Sequence, residues 1–244
     1  MTAKLSVNVN KYALLRNSRG HNAPDLCACV DTVLAAGAHG ITVHPRLDQR
    51  HIQFTDVPAI SNHLRENHPG IEYNIECEND PRLIEMVLDL RPAQCTLVPV
   101  TPGEVTSDHG WDLPAQSAEL RESVRRLQAA RIRVSIFMDC VPGNMVHAAT
   151  LGVDRVELYT GPYAWAWGKA AQATQTQLFI DSIQAAVDHG LGVNAGHDLD
   201  QHNLAGVLGV PGLNEVSIGH AQICRALEVG TTQSVQELLA ALGY

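Results

Sequence analysis

The 244-residue sequence predicts a (β/α)8 barrel folded as a single domain over residues 1–244. Three observations predict it: eight short strand-like runs, helix-like segments between them, and no linker, low-complexity tract or composition shift along the chain. Strand, helix, strand with short connections specifies a parallel sheet with right-handed crossovers, and eight such units close most naturally into a barrel. An open doubly wound sheet fits less well, because no G-x-G-x-x-G turn follows the first strand and no P-loop signature occurs.

The first run is Leu5 to Asn10. Asp25 to Ala36 then reads as a helix, with Gly37 where a C-cap belongs, and leads to the second run, Gly40 to His44. The third run is Glu72 to Cys77; Asp80-Pro81 opens a helix through Leu90, and Gln94 to Val100 is the fourth. A long connection, Val100 to Asp112, carries Pro102-Gly103, Thr106 and His109-Gly110; it is either a cover for a substrate or an ordered surface excursion. Leu113-Pro114 starts the next helix, Ala115 to Ala130, before the fifth run, Arg133 to Asp139. Gly152 precedes the sixth, Arg155 to Thr160; the helix Gln175 to His189 with Gly190 precedes the seventh, Gly192 to His197; the eighth is Glu215 to His220.

Composition narrows the class. Hydrophobic residues at 45% against 18% charged suffice for a sizeable core and argue against disorder. A formal net charge of -9 argues against general nucleic-acid binding, so any anion site must be a local patch. Lys11, Arg16, Arg19, Arg46 and Arg50, in two stretches directly after strand-like runs, are either such a patch or a solvated basic surface. No apolar run reaches the ~20 residues that cross a bilayer, and Met1-Thr2-Ala3-Lys4 leads straight into a strand, so neither export nor membrane partners are expected. The six cysteines are scattered without a C-x-x-C pair and read as reduced thiols of a cytoplasmic protein.

In this fold the active site lies at the C-terminal strand ends. Those ends are polar here: Asn8-Val9-Asn10-Lys11, His44 followed by Arg46 and His51, Glu76, Asp139, Thr160-Gly161, Asn194-Ala195-Gly196-His197 and Gly219-His220. A solitary histidine is more often a surface or hydrogen-bonded core residue, which is how His39, His63, His68, His147 and His189 read. His44, His197 and His220 recur at one position and would meet in one mouth. Alternation places Glu76 inside the barrel, as an acid or base with a raised pKa, or else as the partner of Arg46 or Lys11 in an ion pair. Gly219-His220 opens Ala221 to Leu227, so backbone N–H groups of a helix start would face the mouth; this suits a phosphate, although a tight turn alone would also call for the glycine.

Other barrel chemistries fit less well. Of three lysines, Lys4, Lys11 and Lys169, only Lys11 is placed for a Schiff base. A metal-dependent hydrolase could draw on His44, Glu76, Asp139, His197 and His220, yet no H-x-H or H-E-x-x-H spacing occurs. A phosphate-ligand-binding barrel is the remaining alternative.

On these residues the sequence resembles the pyridoxine 5'-phosphate synthase family over nearly its full length. The matching stretches are Val7-Asn8-Val9, Leu15-Arg16-Asn17-Ser18-Arg19-Gly20, Gly40 to Arg46 with Arg50-His51-Ile52, and Asn74-Ile75-Glu76. Leu97-Val98-Pro99, Glu104-Val105-Thr106, Val193 to His197 and Ile218-Gly219-His220-Ala221 continue the series. The resemblance implies a transferase-type synthase condensing 3-amino-2-oxopropyl phosphate with 1-deoxy-D-xylulose 5-phosphate, without metal or organic cofactor, in a homo-octamer built from dimers. It implies His44 and Glu76 as proton acceptors and His197 as donor. Asn8, Arg19, Gly219 and His220 would hold the amino-ketone phosphate, with Arg19 reaching a neighbouring subunit's site; Arg46, His51 and Thr106 would hold the deoxyxylulose phosphate. Two positions depart from the family pattern: Asn10-Lys11 stands where Asp-His is frequent, and Asp198 stands where glycine is common. Lys11 is expected to touch a substrate hydroxyl or phosphate, and Asp198 to repel a phosphate or raise the pKa of His197.

Overall fold

Polar and apolar residues alternate along the strands, and this alternation decides which way each side chain faces. The computed structural model describes residues 2–101 and 103–244. Its strands are β1 (Lys4–Asn8), β2 (Gly40–Val43), β3 (Glu72–Cys77), β4 (Gln94–Leu97), β5 (Arg133–Asp139), β6 (Arg155–Tyr159), β7 (Gly192–Gly196) and β8 (Leu213–Ile218). They form a closed, all-parallel barrel in chain order, with β1 pairing β2 through Asn8↔Thr42 and β8 through Val7↔Ile218. The fold is therefore a single-domain (β/α)8 barrel.

The helices are α1 (Asn10–Asn17), α2 (Leu26–Ala35), α3 (Asp56–Asn67), α4 (Pro81–Leu90), α5 (Leu113–Ala129), α6 (Met145–Leu151), α7 (Gly161–Ala166), α8 (Gln172–Asp188), α9 (His220–Val229) and α10 (Thr231–Leu242). The Asp25 carboxylate caps α2 by accepting from Ala28 N–H, and Asp80 caps α4 by accepting from Arg82 N–H. Among the described residues no helix is long and apolar enough to cross a membrane. The six cysteines are free thiols.

One row of each strand is apolar: Leu5 and Val7, Ile41 and Val43, Ile75, Leu97, Val134 and Ile136, Val156 and Leu158 are fully buried in a core shared with the helices. The other row faces the barrel axis and is polar, except near the mouth, where Phe137 and Tyr159 form a small apolar cluster with Val98. At mid-height Ser6 Oγ lies 2.7 Å from Thr42 Oγ1, Asn74 Nδ2 donates to Thr42 Oγ1 at 3.4 Å, and Thr96 Oγ1 donates to Asn74 Oδ1 at 3.1 Å. Below lies a charged floor in which Arg133 binds Glu72 and Gln94, Arg155 binds Asn194, and Asn194 Nδ2 donates to Glu215. The upper layer of the same row opens into the mouth.

Several boundaries differ from the sequence expectation. β1 ends at Asn8, and Asn10-Lys11 form the first turn of α1. The Asn8 side-chain carbonyl accepts from Asn10 N–H at 3.0 Å, and Asn10 Oδ1 in turn accepts from His44 N–H at 2.9 Å; these bonds fold the chain back over the sheet end. β4 stops at Leu97, two residues before Pro99, which has no N–H to donate. His197 and His220 stand one or two residues beyond β7 and β8, the latter as the first residue of α9.

Candidate active site

A cavity of about 440 Å³ occupies the C-terminal mouth of the barrel. It gathers Asn8, Asn10, Lys11, His44, Arg46, His51, Glu76, Thr106, His197, Asp198, Gly219 and His220, residues singled out in the sequence from six different strand ends and loops. Arg19 is the exception, lying on the exposed turn after α1 and absent from this lining. Pro102, in the long loop, lies outside the described residues.

At the bottom of the cavity Glu76 Oε2 is 3.6 Å from His44 Nδ1 and 3.4 Å from the donating Asn8 Nδ2. Neither Arg46 nor Lys11 pairs with this carboxylate, so the alternative of a structural ion pair gives way to a carboxyl–imidazole contact. Burial pushes the Glu76 pKa well above the usual carboxylate range, and the nearby Glu157 adds to the rise. Burial likewise drives His44 well below its ordinary value, helped by His51 and Arg46. Burial thus favours the neutral forms of both groups, carboxylic acid and imidazole, because neither charge is solvated there.

Glu157 is a site residue that sequence reasoning missed. Burial, followed by the charge of Glu215, raises it to about 8, and its Oε2 has no hydrogen-bond partner among the described residues. The signal was available: Arg155-Val156-Glu157 alternates, and Glu157 pairs in register with Asn194 on the inward row. Arg50, read as part of either an anion-receiving patch or a solvated surface, lines the cavity.

His197 rests in an aromatic niche, with ring centroids 5.2 Å from Phe137 and 5.5 Å from Tyr159, the latter edge-on. Burial lowers its pKa to about 4; Asp198 opposes this but does not overcome it. The upward pull expected from Asp198 is present, but desolvation of the ring outweighs one exposed carboxylate. His51 is also lowered to about 4, by burial and then by Lys11 and Arg46. Its Nδ1 accepts from Ile52 N–H at 2.9 Å, which assigns the proton of the neutral ring to Nε2.

The cationic patch divides. Lys11, Arg46 and Arg50 face the cavity, whereas Arg16 is buried in a two-pronged ion pair with Asp56, at 2.6 and 2.8 Å. Arg46 Nη2 donates to Glu104 Oε1 at 3.2 Å, and Arg50 Nη1 donates to the carbonyls of Glu104 and Val105 at 2.9 and 3.0 Å. Both arginines thus tie the loop after β4 across the mouth, with Thr106 at its rim. Opposite, Gly219 leaves room for no side chain, because a Cβ there would sit 2.7 Å from the Asn8 carbonyl oxygen. No side chain caps α9, so the N–H groups of its first turn are left for another acceptor at the mouth.

Among the described residues, the groups with metal-ligand spacing are Asp31, His63 and His68 on the outer helices, and Glu104, Asp108 and His109 in the loop. The ligand set considered for a hydrolase is not among these groups: His44, Glu76, His197 and His220 line the cavity without meeting at metal-ligand spacing, and Asp139 accepts from Gly110 N–H and does not line the cavity.

A family model described as pyridoxal phosphate biosynthesis protein PdxJ matches residues 5–243. A pyridoxine 5'-phosphate synthase of Xanthomonas axonopodis pv. citri (strain 306) is 49% identical over 244 residues, covering 97% of this chain and 95% of that protein. Another, from Albidiferax ferrireducens, is 47% identical over 245 residues, covering 98% and 97%. Among solved structures, a chain of the tryptophan synthase complex from Pyrococcus furiosus superposes with TM-score 0.65 at 12% identity, covering 98% of this chain and 100% of that one. Phosphoribosyl anthranilate isomerase from Thermus thermophilus gives 0.58 at 12% identity, covering 98% of each chain. At that identity these two structures speak for the barrel alone.

Proposed function

The chain belongs to the PdxJ family of pyridoxal phosphate biosynthesis proteins, and from that premise we propose how its barrel mouth works as a pyridoxine 5'-phosphate synthase. The reaction condenses 3-amino-2-oxopropyl phosphate with 1-deoxy-D-xylulose 5-phosphate, releasing pyridoxine 5'-phosphate, phosphate and water. One observation carries the reading: three proton-transfer side chains, His44, Glu76 and His197, share a cavity with the cations Lys11, Arg46 and Arg50.

The substrates' own amine and ketone condense, so the protein has to move protons, hold two phosphates and exclude water. His44 accepts a substrate proton at Nε2, which is buried without a partner among the described residues, and Glu76, 3.6 Å from its Nδ1, serves as the second acceptor when a bound cationic substrate favours its carboxylate. His197 takes up a proton and returns it as the acid of a later dehydration; an arriving phosphate dianion favours its imidazolium, as Asp198 already does. Glu157, protonated at rest, is a hydrogen-bond donor for a substrate oxygen that gains charge. Asn8, Gly219 and His220 hold the amino-ketone phosphate at the α9 N-terminus, with Asp198 bordering it. Asn10, Lys11, Arg46, His51 and Thr106 hold the hydroxyls and phosphate of the sugar substrate. No cofactor is required by this scheme. Arg19 completes the site of a neighbouring copy in a homo-oligomer, and the enzyme works in the cytoplasm.

The test is incubation of the protein with both phosphorylated substrates, following pyridoxine 5'-phosphate by absorbance and released phosphate in parallel. Matched appearance of the two supports the reading; folded protein that yields neither refutes it.

A further inference from the structure

Asp198 poses an electrostatic problem, because it puts a carboxylate on the wall of a cavity that is otherwise equipped for anions. Its backbone is in the left-handed region, with φ 58°, directly after His197 at φ 78°. Two successive non-glycine residues in that region are held only when their surroundings enforce it. Here Thr160 Oγ1 donates to the carbonyls of Gly196 and His197, and Asn203 Nδ2 donates to the Asp198 carbonyl at 2.9 Å.

The side chain has its own partner. Trp165, on α7, donates its indole N–H to Asp198 Oδ2 at 2.7 Å. Core packing does not account for this tryptophan, which is 56% exposed. Its ring meets Tyr159 edge-on with centroids 6.2 Å apart, and Tyr159 in turn meets His197. A large aromatic left in solvent at the rim, with its one polar atom on the one carboxylate adjoining His197, is placed by that contact.

We propose that Trp165 is a positioning residue for the phosphate site: its indole N–H holds the Asp198 carboxylate toward α7, so that a bound phosphate meets a fixed turn and not a mobile negative charge. The proposal rests on the reading of the mouth as a phosphate site and extends it to a residue outside the cavity lining. Specificity follows from the same contact. A ligand bearing a cation in place of phosphate gains from a released Asp198, whereas a dianion loses.

The experiment is a double-mutant cycle read first by calorimetric binding of inorganic phosphate, which does not depend on turnover. Trp165→Phe keeps the ring and removes the donor; phosphate affinity should fall by about two- to fivefold, the scale of one charge contact at a partly exposed rim. In an Asp198→Gly background, where φ 58° suits the new residue, the same Trp165→Phe change should have no effect. In the synthase assay Trp165→Phe should raise KM for the amino-ketone phosphate with kcat nearly unchanged. Equal losses in both backgrounds would mean that the indole acts only by packing, and unchanged affinity in the Asp198-containing variant would remove the tether altogether. If wild-type protein binds phosphate but makes no product, the synthase reading fails while the cycle still decides the tether.

Discussion

Burial shifts single carboxyl and imidazole side chains in the mouth toward their neutral forms, and this has measurable consequences. Glu76→Gln should preserve the fold and phosphate binding while lowering turnover by about 10²–10⁴-fold, the usual weight of a general acid or base; steady-state rates beside phosphate calorimetry check it. Stability against pH follows from the same burial. Glu157 has a folded pKa of about 8, above its unfolded value, so its contribution is fully present below the unfolded pKa and is lost as pH rises through 8. His51 and His197, depressed to about 4, contribute in the other sense: protonating the unfolded chain removes stability as pH falls from the ordinary histidine range toward 4. Between about pH 6.5 and 8 the raised carboxyls, Glu157 together with Glu76 and Glu215, lose their contribution, so Tm should decline over that window. Glu157→Gln should flatten the decline and raise Tm by a few degrees at its upper end, as thermal melts across pH would record. Residues such as His44, Glu76 and Arg46 were legible in the sequence because strand ends and period-two alternation locate them. Glu157 hid in an ordinary strand, since its importance comes from Glu76 and Glu215 on other strands. The left-handed turn at His197-Asp198 is marked only by the glycine common at position 198 in the family pattern, because neither residue here is a glycine.

At the scale of elements, the eight strands, their order and both ends of β3 and β5 were readable from periodicity, while the C-terminal ends of the other six were placed one to three residues too far. β1 stops early because side-chain bonds from Asn8 and Asn10 compete with the ladder, and such bonds depend on which strand lies beside them. The loop after β4 was recognised by its length alone; its attachment to Arg46 and Arg50 required the fold. Glu104 occupies the Arg46 guanidinium, so a phosphate arriving there competes with a carboxylate of the protein. Glu104→Gln should therefore tighten inorganic phosphate binding and speed hydrogen exchange across residues 103–112; slower exchange, or weaker phosphate binding, would contradict the competition. At the opposite rim Gly219→Ala forces a methyl group to 2.7 Å from the Asn8 carbonyl, and the repacking should cost about 1–3 kcal/mol in denaturant titrations.

For the whole molecule, the proposed oligomer has a direct assay. If Arg19 serves a neighbouring copy, Arg19→Ala and Glu76→Gln proteins, each inactive, should regain activity when unfolded together and refolded as mixed assemblies. A mixed subunit pair carries one site with both native residues; activity that never exceeds the sum of the separate variants would place Arg19 outside catalysis. The net charge of -9 belongs to this scale too, because it leaves the cationic rim as a local exception that added salt should weaken.

The polar inner row of the barrel has one more consequence, for how the chain finds its fold. Parallel strands that are apolar on both faces tolerate slippage, since a displaced strand still buries hydrocarbon. Here a one-residue slip of β3 would turn Glu72, Asn74 and Glu76 outward beneath the helices and Ile75 into the charged interior. The same penalty recurs on β6, where Arg155 and Glu157 flank Val156. Misregistered barrels are thus excluded by the very side chains that supply the chemistry, and the catalytic layer doubles as the proofreading device of assembly.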